Sequence, residues 1–210
     1  MTGYDQRREQ VLDGSAQVFA RKGYDRASIR DIAKAVEMSP GGLYHYCSNK
    51  QDLLYQLCER SFRTLIDHLS SGLQHVEDPR ERLYTVFATH LTYFFGHPDE
   101  LITLTENLSS LTPPGVDRVR ELQRRYYSMV SKVLESFPSA PARSLRIATM
   151  TLFGSINWVH TWYRHEIDGP AETVARIMTD LFLNGMAPAY QYAPAAGGNH
   201  PDHPDGTKEG

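Results

Sequence analysis

Cysteine is scarce: Cys47 and Cys58 are the only two in 210 residues. That excludes a disulfide framework, and neither belongs to a paired zinc motif. No apolar run approaches the length that crosses a bilayer, and the opening MTGYDQRREQ has no apolar signal region. The expectation is a soluble, cytoplasmic protein with no membrane partner. No stretch sustains a two-residue alternation, so strands drop out and the fold class is all-α. A dominant charge is missing too, since 22 Lys and Arg face 25 Asp and Glu for a net charge of −3. The chain as a whole therefore does not attract a polyanion. Catalytic frameworks are absent as well. His160 and His165 are five apart, so they do not share a helical face as paired metal ligands would. His90 and His97 lie seven apart, and no histidine has a matched nucleophile or carboxylate. No glycine-rich phosphate loop occurs. No catalytic residue, no metal and no cofactor is expected.

What is present is unevenly placed. Residues 1–50 hold eight Lys and Arg against six Asp and Glu, leaving the remainder at −5. A mildly basic first quarter on an acidic body suits a local contact with nucleic acid. Helical periodicity runs through the rest. Val11, Leu12, Ala16, Val18 and Phe19 form one stripe that stops at Gly23. Ser28 caps SIRDIAKAV with Asp31 in the capping-box position, and Ser39–Pro40 opens the next helix. A long helix is expected from about Gln51 to Ser71. Further helices fall at 80–95, 99–110, 115–136, 142–165 and 171–186, about nine in all, punctuated by proline and glycine. Residues 187–210 carry four Pro and four Gly and little apolar bulk, which predicts a disordered tail.

Two short helices, Ser28–Val36 and Ser39–Cys47, joined by EMS, have helix-turn-helix spacing, in which the second helix enters a DNA major groove. Gly41 and Gly42 remove side chains where protein and DNA approach closely. Leu43 and Cys47 turn inward against Ile32 and Val36, leaving Tyr44, His45 and Tyr46 to reach phosphate oxygens. Lys50 supplies a charge at the next helix start. The predicted DNA contacts are Ser28, Arg30, Ser39, Pro40, Gly41, Gly42, Tyr44, His45, Tyr46 and Lys50.

From Phe19 to Leu54, FARKGYDRASIRDIAKAVEMSPGGLYHYCSNKQDLL resembles the tetracycline-repressor (TetR) family of dimeric bacterial transcription regulators. That resemblance implies an N-terminal helix-turn-helix domain (1–50) and a larger helical domain (51–186) that binds a small ligand and dimerises. Two positions depart from the family pattern: Glu37 stands where the turn usually carries glycine, and Cys47 where an aromatic is usual. Operator DNA, a small-molecule effector and a second copy of the chain are the implied partners.

Small apolar-ligand sites are lined by aromatics with a few orienting polar groups. Candidates of that kind are Phe87, His90, Leu91, Phe94, Tyr126, Met129, Phe153, Asn157, Trp158, Thr161 and Trp162. The stretch from Ile156 to Met186 is similar to a subgroup of TetR-like repressors that regulate fatty-acid and sterol breakdown and respond to acyl-coenzyme A thioesters. Such a ligand needs cations for its phosphates, and Arg118, Arg120, Arg124, Arg125 and Arg146 are the candidates. The expected function is a ligand-responsive repressor. The alternatives are a repressor of efflux or detoxification genes answering to an apolar aromatic compound, and a ligand-carrier or enzyme domain with a vestigial DNA-binding fold. Residues 142–165 and 171–186 are expected to form the dimer interface. Ala148, Gly154 and Ser155 would permit close approach there, and Ile177, Met178, Leu181, Phe182 and Gly185 would supply an apolar stripe.

Overall fold

Helix starts are written into the local sequence. The computed structural model describes residues 3–137 and 142–185. The first helix, α1 (Gly3–Lys22), buries the stripe Val11, Leu12, Ala16, Val18 and Phe19. It ends where Gly23, at φ 75°, donates its N–H to Phe19 O at 2.9 Å. Ser28 and Asp31 form a complete capping box on α2 (Ile29–Ala35). Ser39 caps α3 (Pro40–Leu43) by accepting from the Gly42 N–H, and Asn49 caps α4 (Lys50–Leu73) through the Asp52 N–H. Asp78 caps α5 (Pro79–Gly96) in the same way. Then come α6 (Pro98–Glu106), a 3₁₀ turn at Leu108–Ser110, α7 (Gly115–Glu135) and α8 (Ala142–Asn157). A second 3₁₀ turn at Val159–Thr161, α9 (His165–Asp168) and α10 (Ala171–Asn184) follow.

The all-helical class holds, with ten α-helices among the described residues rather than nine. The expected helix over 142–165 breaks after Asn157. There His160 Nδ1 lies 2.8 Å from Asn157 O, and Thr161 Oγ1 donates to Trp158 O at 2.8 Å. Side chains that occupy backbone carbonyls in this way compete with helix propagation. The expected helix over 39–47 is likewise only α3, followed by a turn through Tyr46. Gly41 and Gly42 make poor helix, and the chain tightens to short-range bonds, His45 N to Gly42 O and Tyr46 N to Leu43 O. Glu37 adopts φ 53°, the left-handed conformation for which glycine is suited. The expected tail 187–210 lies outside the described residues.

In the packing, α1 lies on α6, α4 on α5 and α7, and α10 on α5. At Gly14 an added Cβ would stand 2.2 Å from Val36 Cγ1, so only glycine lets α1 meet the end of α2. Leu43, Cys47, Ile32 and Val36 are all buried, which fixes α3 against α2. Burial raises the thiol pKa of Cys47 to about 11 and of Cys58 to about 12. Both thiols stay protonated and poorly nucleophilic at neutral pH.

Candidate DNA-binding and effector-binding sites

With α3 pinned from below by Leu43 and Cys47, the opposite surface carries Ser28, Arg30, Ser39, Pro40, Gly41, Tyr44 and His45, all exposed. The Tyr44 ring is 55% exposed, and among the described residues neither its hydroxyl nor the His45 imidazole is tied to another side chain. Gly42 is half-buried over Ser39 Oγ and Met38. Tyr46 leans back and stacks on Tyr4, ring centroids 5.1 Å apart. Its ring therefore braces α1 against the turn after α3.

Lys50 points elsewhere than expected. Its ammonium donates to the carbonyls of Tyr24 (2.7 Å), Ala27 (3.0 Å) and Asp25 (3.4 Å). It also sits 4.2 Å from the centroid of the Tyr24 ring. The charge that the sequence suggests for a phosphate instead gathers the carbonyl ends of the α1–α2 loop. Lys50→Ala is therefore expected to cost about 1–3 kcal/mol of stability. It should leave the salt dependence of DNA binding unchanged, whereas loss of a phosphate contact would reduce the slope by about 1. Denaturant unfolding and a salt titration of operator affinity check both.

A cavity of about 440 Å³, lined mainly by apolar and aromatic side chains, lies between α4, α5, α6, α7 and α8. Of the expected ligand residues His90, Phe94, Tyr126, Phe153 and Asn157 line it, and Arg120 is its one lining cation among the described residues. Leu101, Leu104 and Thr105 of α6 and Leu108 of the 3₁₀ turn after it line the cavity, as do Phe62, Leu65, Gln123 and Tyr127. The other expected ligand residues lie elsewhere. Phe87 packs edge-on against Phe182, and Leu91 is buried in the core. Met129 is half-buried against that core. Trp158, Thr161 and Trp162 face outward.

The arginines divide by helical phase. At 100° per residue, Val116, Arg120, Gln123 and Tyr127 share the cavity face of α7. Arg124 follows Arg120 by one turn, whereas Arg118 and Arg125 fall on the opposite side. Arg118 lines a separate cleft beside Tyr55 and Thr112. Arg146 is exposed on α8, two turns before Phe153. The five therefore do not converge on one site: Arg120 alone of them lines the cavity, and Arg124 is exposed one turn further along.

At the bottom of the cavity the His90 ring is held between Phe94, centroids 4.7 Å apart, and Tyr126, whose hydroxyl is 3.2 Å from Nδ1. Burial lowers the His90 pKa from 6.5 to about 3, so the imidazole is neutral at physiological pH. The unfolded chain binds this proton more readily than the folded one does. Stability is therefore intact above pH 6.5 and falls as the pH drops from there toward the folded value. The expected loss is about 1.4 kcal/mol per pH unit from this group. Unfolding curves between pH 7 and pH 4 should show that slope in the wild type and lose it in His90→Phe.

One element joins the two sites. Along α6 and its C-cap, Leu101, Leu104, Thr105 and Leu108 face the cavity, while Glu100, Thr103 and Asn107 face the DNA-binding unit. Asn107 Oδ1 accepts from the Tyr24 N–H at 2.8 Å. Glu100, only 2% exposed, accepts from Arg60, Ser61 and Tyr93. Arg60 in turn reaches Glu9 (2.5 Å) and Asp13 (2.8 Å) on α1. None of this network is expected from the sequence. The spacing of 101, 104, 105 and 108 is its one legible trace.

The profile of the tetR family of bacterial regulatory proteins matches residues 11–57. That of the tetracyclin repressor-like C-terminal domain matches residues 76–186, more than half of the chain. The fatty acid metabolism regulator protein of Bacillus subtilis is 22% identical over 182 residues, 84% of this chain and 94% of its own. A TetR-family transcriptional regulator from Bordetella parapertussis superposes with a TM-score of 0.79 at 27% identity, over 85% of this chain and 95% of that one. AibR, solved with isovaleryl coenzyme A and operator DNA, superposes with a TM-score of 0.72 at 20% identity, over 83% of this chain and 97% of its own. At that identity the likeness establishes a shared fold.

Proposed function

The chain belongs to the tetR family of bacterial regulatory proteins, and we propose that it is a homodimeric cytoplasmic repressor released from its operator by an acyl-coenzyme A thioester. Membership makes it a ligand-responsive, DNA-binding transcriptional regulator and not an enzyme, which sets aside the carrier or enzyme reading. The observation that carries the switching mechanism is α6, one face of which is cavity wall while the other holds the DNA-binding unit through Glu100 and Asn107. A ligand that displaces Leu101, Leu104 or Thr105 must move Glu100 and Asn107 with them, because they share a helix and its cap. Moving those contacts shifts α1 and the Tyr24 loop, and with them the spacing of the two recognition helices. Reversing occupancy from mostly bound to mostly free takes a differential affinity of about 5.5 kcal/mol at the outside.

The effector class follows from the cavity wall. Aromatic and aliphatic side chains can take an acyl group, and Arg120, with Arg124 a turn away, offers the nucleotide phosphates charge-assisted bonds that a free acid lacks. The similarity to a fatty acid metabolism regulator and to an isovaleryl coenzyme A-bound regulator favours the same class. Tyr44 and His45, with the exposed Arg30 of α2, are the proposed phosphate contacts.

The test is a mobility shift with the DNA flanking the protein's own gene. Acyl-coenzyme A esters should release the complex while the matching free acids do not, and Arg120→Ala with Arg124→Ala should weaken the esters selectively. Release by uncharged aromatic compounds and by no ester would instead support the efflux or detoxification reading.

A further inference from the structure

Three buried polar atoms among the described residues lack a hydrogen-bond partner: Arg60 Nε, Asn107 Nδ2 and His90 Nε2. Only His90 belongs to a side chain lining the effector cavity. An unpaired buried donor or acceptor costs free energy that a partner would recover. We propose that this partner is the ligand: the natural effector carries a neutral oxygen acceptor, a keto or hydroxyl group, at the buried end of its acyl chain. The inference rests on the acyl-thioester reading for the other end of the molecule, and on His90 alone for this one.

The tautomer follows from the neighbours. The Tyr126 hydroxyl has His90 Nδ1 as its hydrogen-bond contact. If that hydroxyl donates to Nδ1, the pair leaves one atom unsatisfied, Nε2–H. With the proton on Nδ1 instead, both the tyrosine O–H and the Nε2 lone pair would lack partners. The first arrangement is favoured, and it makes Nε2 a donor that requires an acceptor. Phe94 and Tyr126 hold the ring in place, so the donor is positioned before the ligand arrives. Because the imidazole is neutral and Arg120 is the only lining cation among the described residues, the cavity floor selects an uncharged oxygen over a terminal carboxylate. Tyr126 lies six residues beyond Arg120, about 9 Å along α7. Arg124 is nearer along the helix but points about 160° round it from Tyr126, so the oxygen and the phosphates fall on different sides of α7.

Matched pairs test this by calorimetry. Oxo-acyl-coenzyme A esters of increasing length are compared with methyl-branched esters of the same shape, and cyclohexanone is compared with methylenecyclohexane. A carboxylate-ended ester is included as a third arm. In the wild type the best oxo compound should bind roughly tenfold tighter than its hydrocarbon twin, with the carboxylate weaker than either. That ratio should fall to about one in His90→Phe, or in His90→Leu if the first variant misfolds. Equal binding within the pairs would mean that a bound water serves Nε2 and would overturn the proposal. So would a ratio that survives loss of His90. Should no thioester bind at all, the effector class proposed above fails, and the cyclohexanone pair still decides the role of His90. If neither series binds, both ideas fall.

Discussion

Arg60→Ala is expected to lower the unfolding free energy by about 3–5 kcal/mol, because it leaves the Glu100 carboxylate buried without its counter-charge. Burial opposes the charge on Arg60, but Glu100, Glu9 and Asp13 more than offset it and move its pKa up. The guanidinium is thus the hub of a cluster rather than half of a surface pair. Its three partners are not equal. Asp13 is exposed and Glu9 half-buried on α1, both in reach of water, so Glu9→Ala or Asp13→Ala should each cost about 1 kcal/mol or less. Removing Glu100 leaves Arg60 only its two partners on α1 and takes the buried acceptor from Ser61 and Tyr93, so it should cost nearly as much as removing Arg60. Arg60→Met with Glu100→Gln removes both charges and is expected to recover much of the loss. Additive effects in that cycle would show that the two groups are not coupled. The functional consequence separates this cluster from ordinary core. Arg60 ties α1 to α6, so Arg60→Met with Glu100→Gln should fold and still show a weakened effector response.

What the sequence revealed of this molecule was local. Ser28 with Asp31, Ser39 with Pro40, and the inward pair Leu43 and Cys47 are short-range signals, and the structure places each where those signals imply. The place of Lys50 is illegible in the sequence because its acceptors are backbone carbonyls of Tyr24, Asp25 and Ala27, which no side-chain pattern announces. The cavity was half-legible for a related reason. Periodicity identifies which residues face inward but not where the interior is left unfilled. Phe87 and Leu91 are as buried as His90 and Phe94, yet only the latter pair borders the space. The arginines of α7 look like one basic run in sequence. The helix turns Arg118 and Arg125 away from Arg120, and only a three-dimensional phase separates them. Glu100 gives no sign at all, since a carboxylate in the first turn of a helix reads as a solvated end.

Ile177→Glu combined with Leu181→Glu is expected to yield a folded monomer whose operator affinity is lower by on the order of 100-fold or more. On α10, Val174, Ala175 and Thr179 are buried, and Phe182 packs on Phe87. Met178 joins them against the core, so Met178 and Phe182 leave the expected outward stripe. Ile177 and Leu181, one turn apart, remain 54% and 46% exposed. On α8, Ile147 and Met150 are exposed in the same way, and Gly154 follows them with open space beside it. Trp158, at 64% exposure, extends the surface. Exposed aliphatic and aromatic side chains on these two helices are what the proposed homodimer would bury. Two glutamates would place four like charges across a two-fold contact without touching the core face of α10. Helicity and unfolding cooperativity should therefore stay near wild type while sedimentation reports half the mass. Affinity falls because a dimer holds its second recognition helix at high effective concentration beside the second half-site, and a monomer does not. A variant that remained dimeric would place the interface elsewhere. A monomer with undiminished operator affinity would show that the protein reads a single half-site.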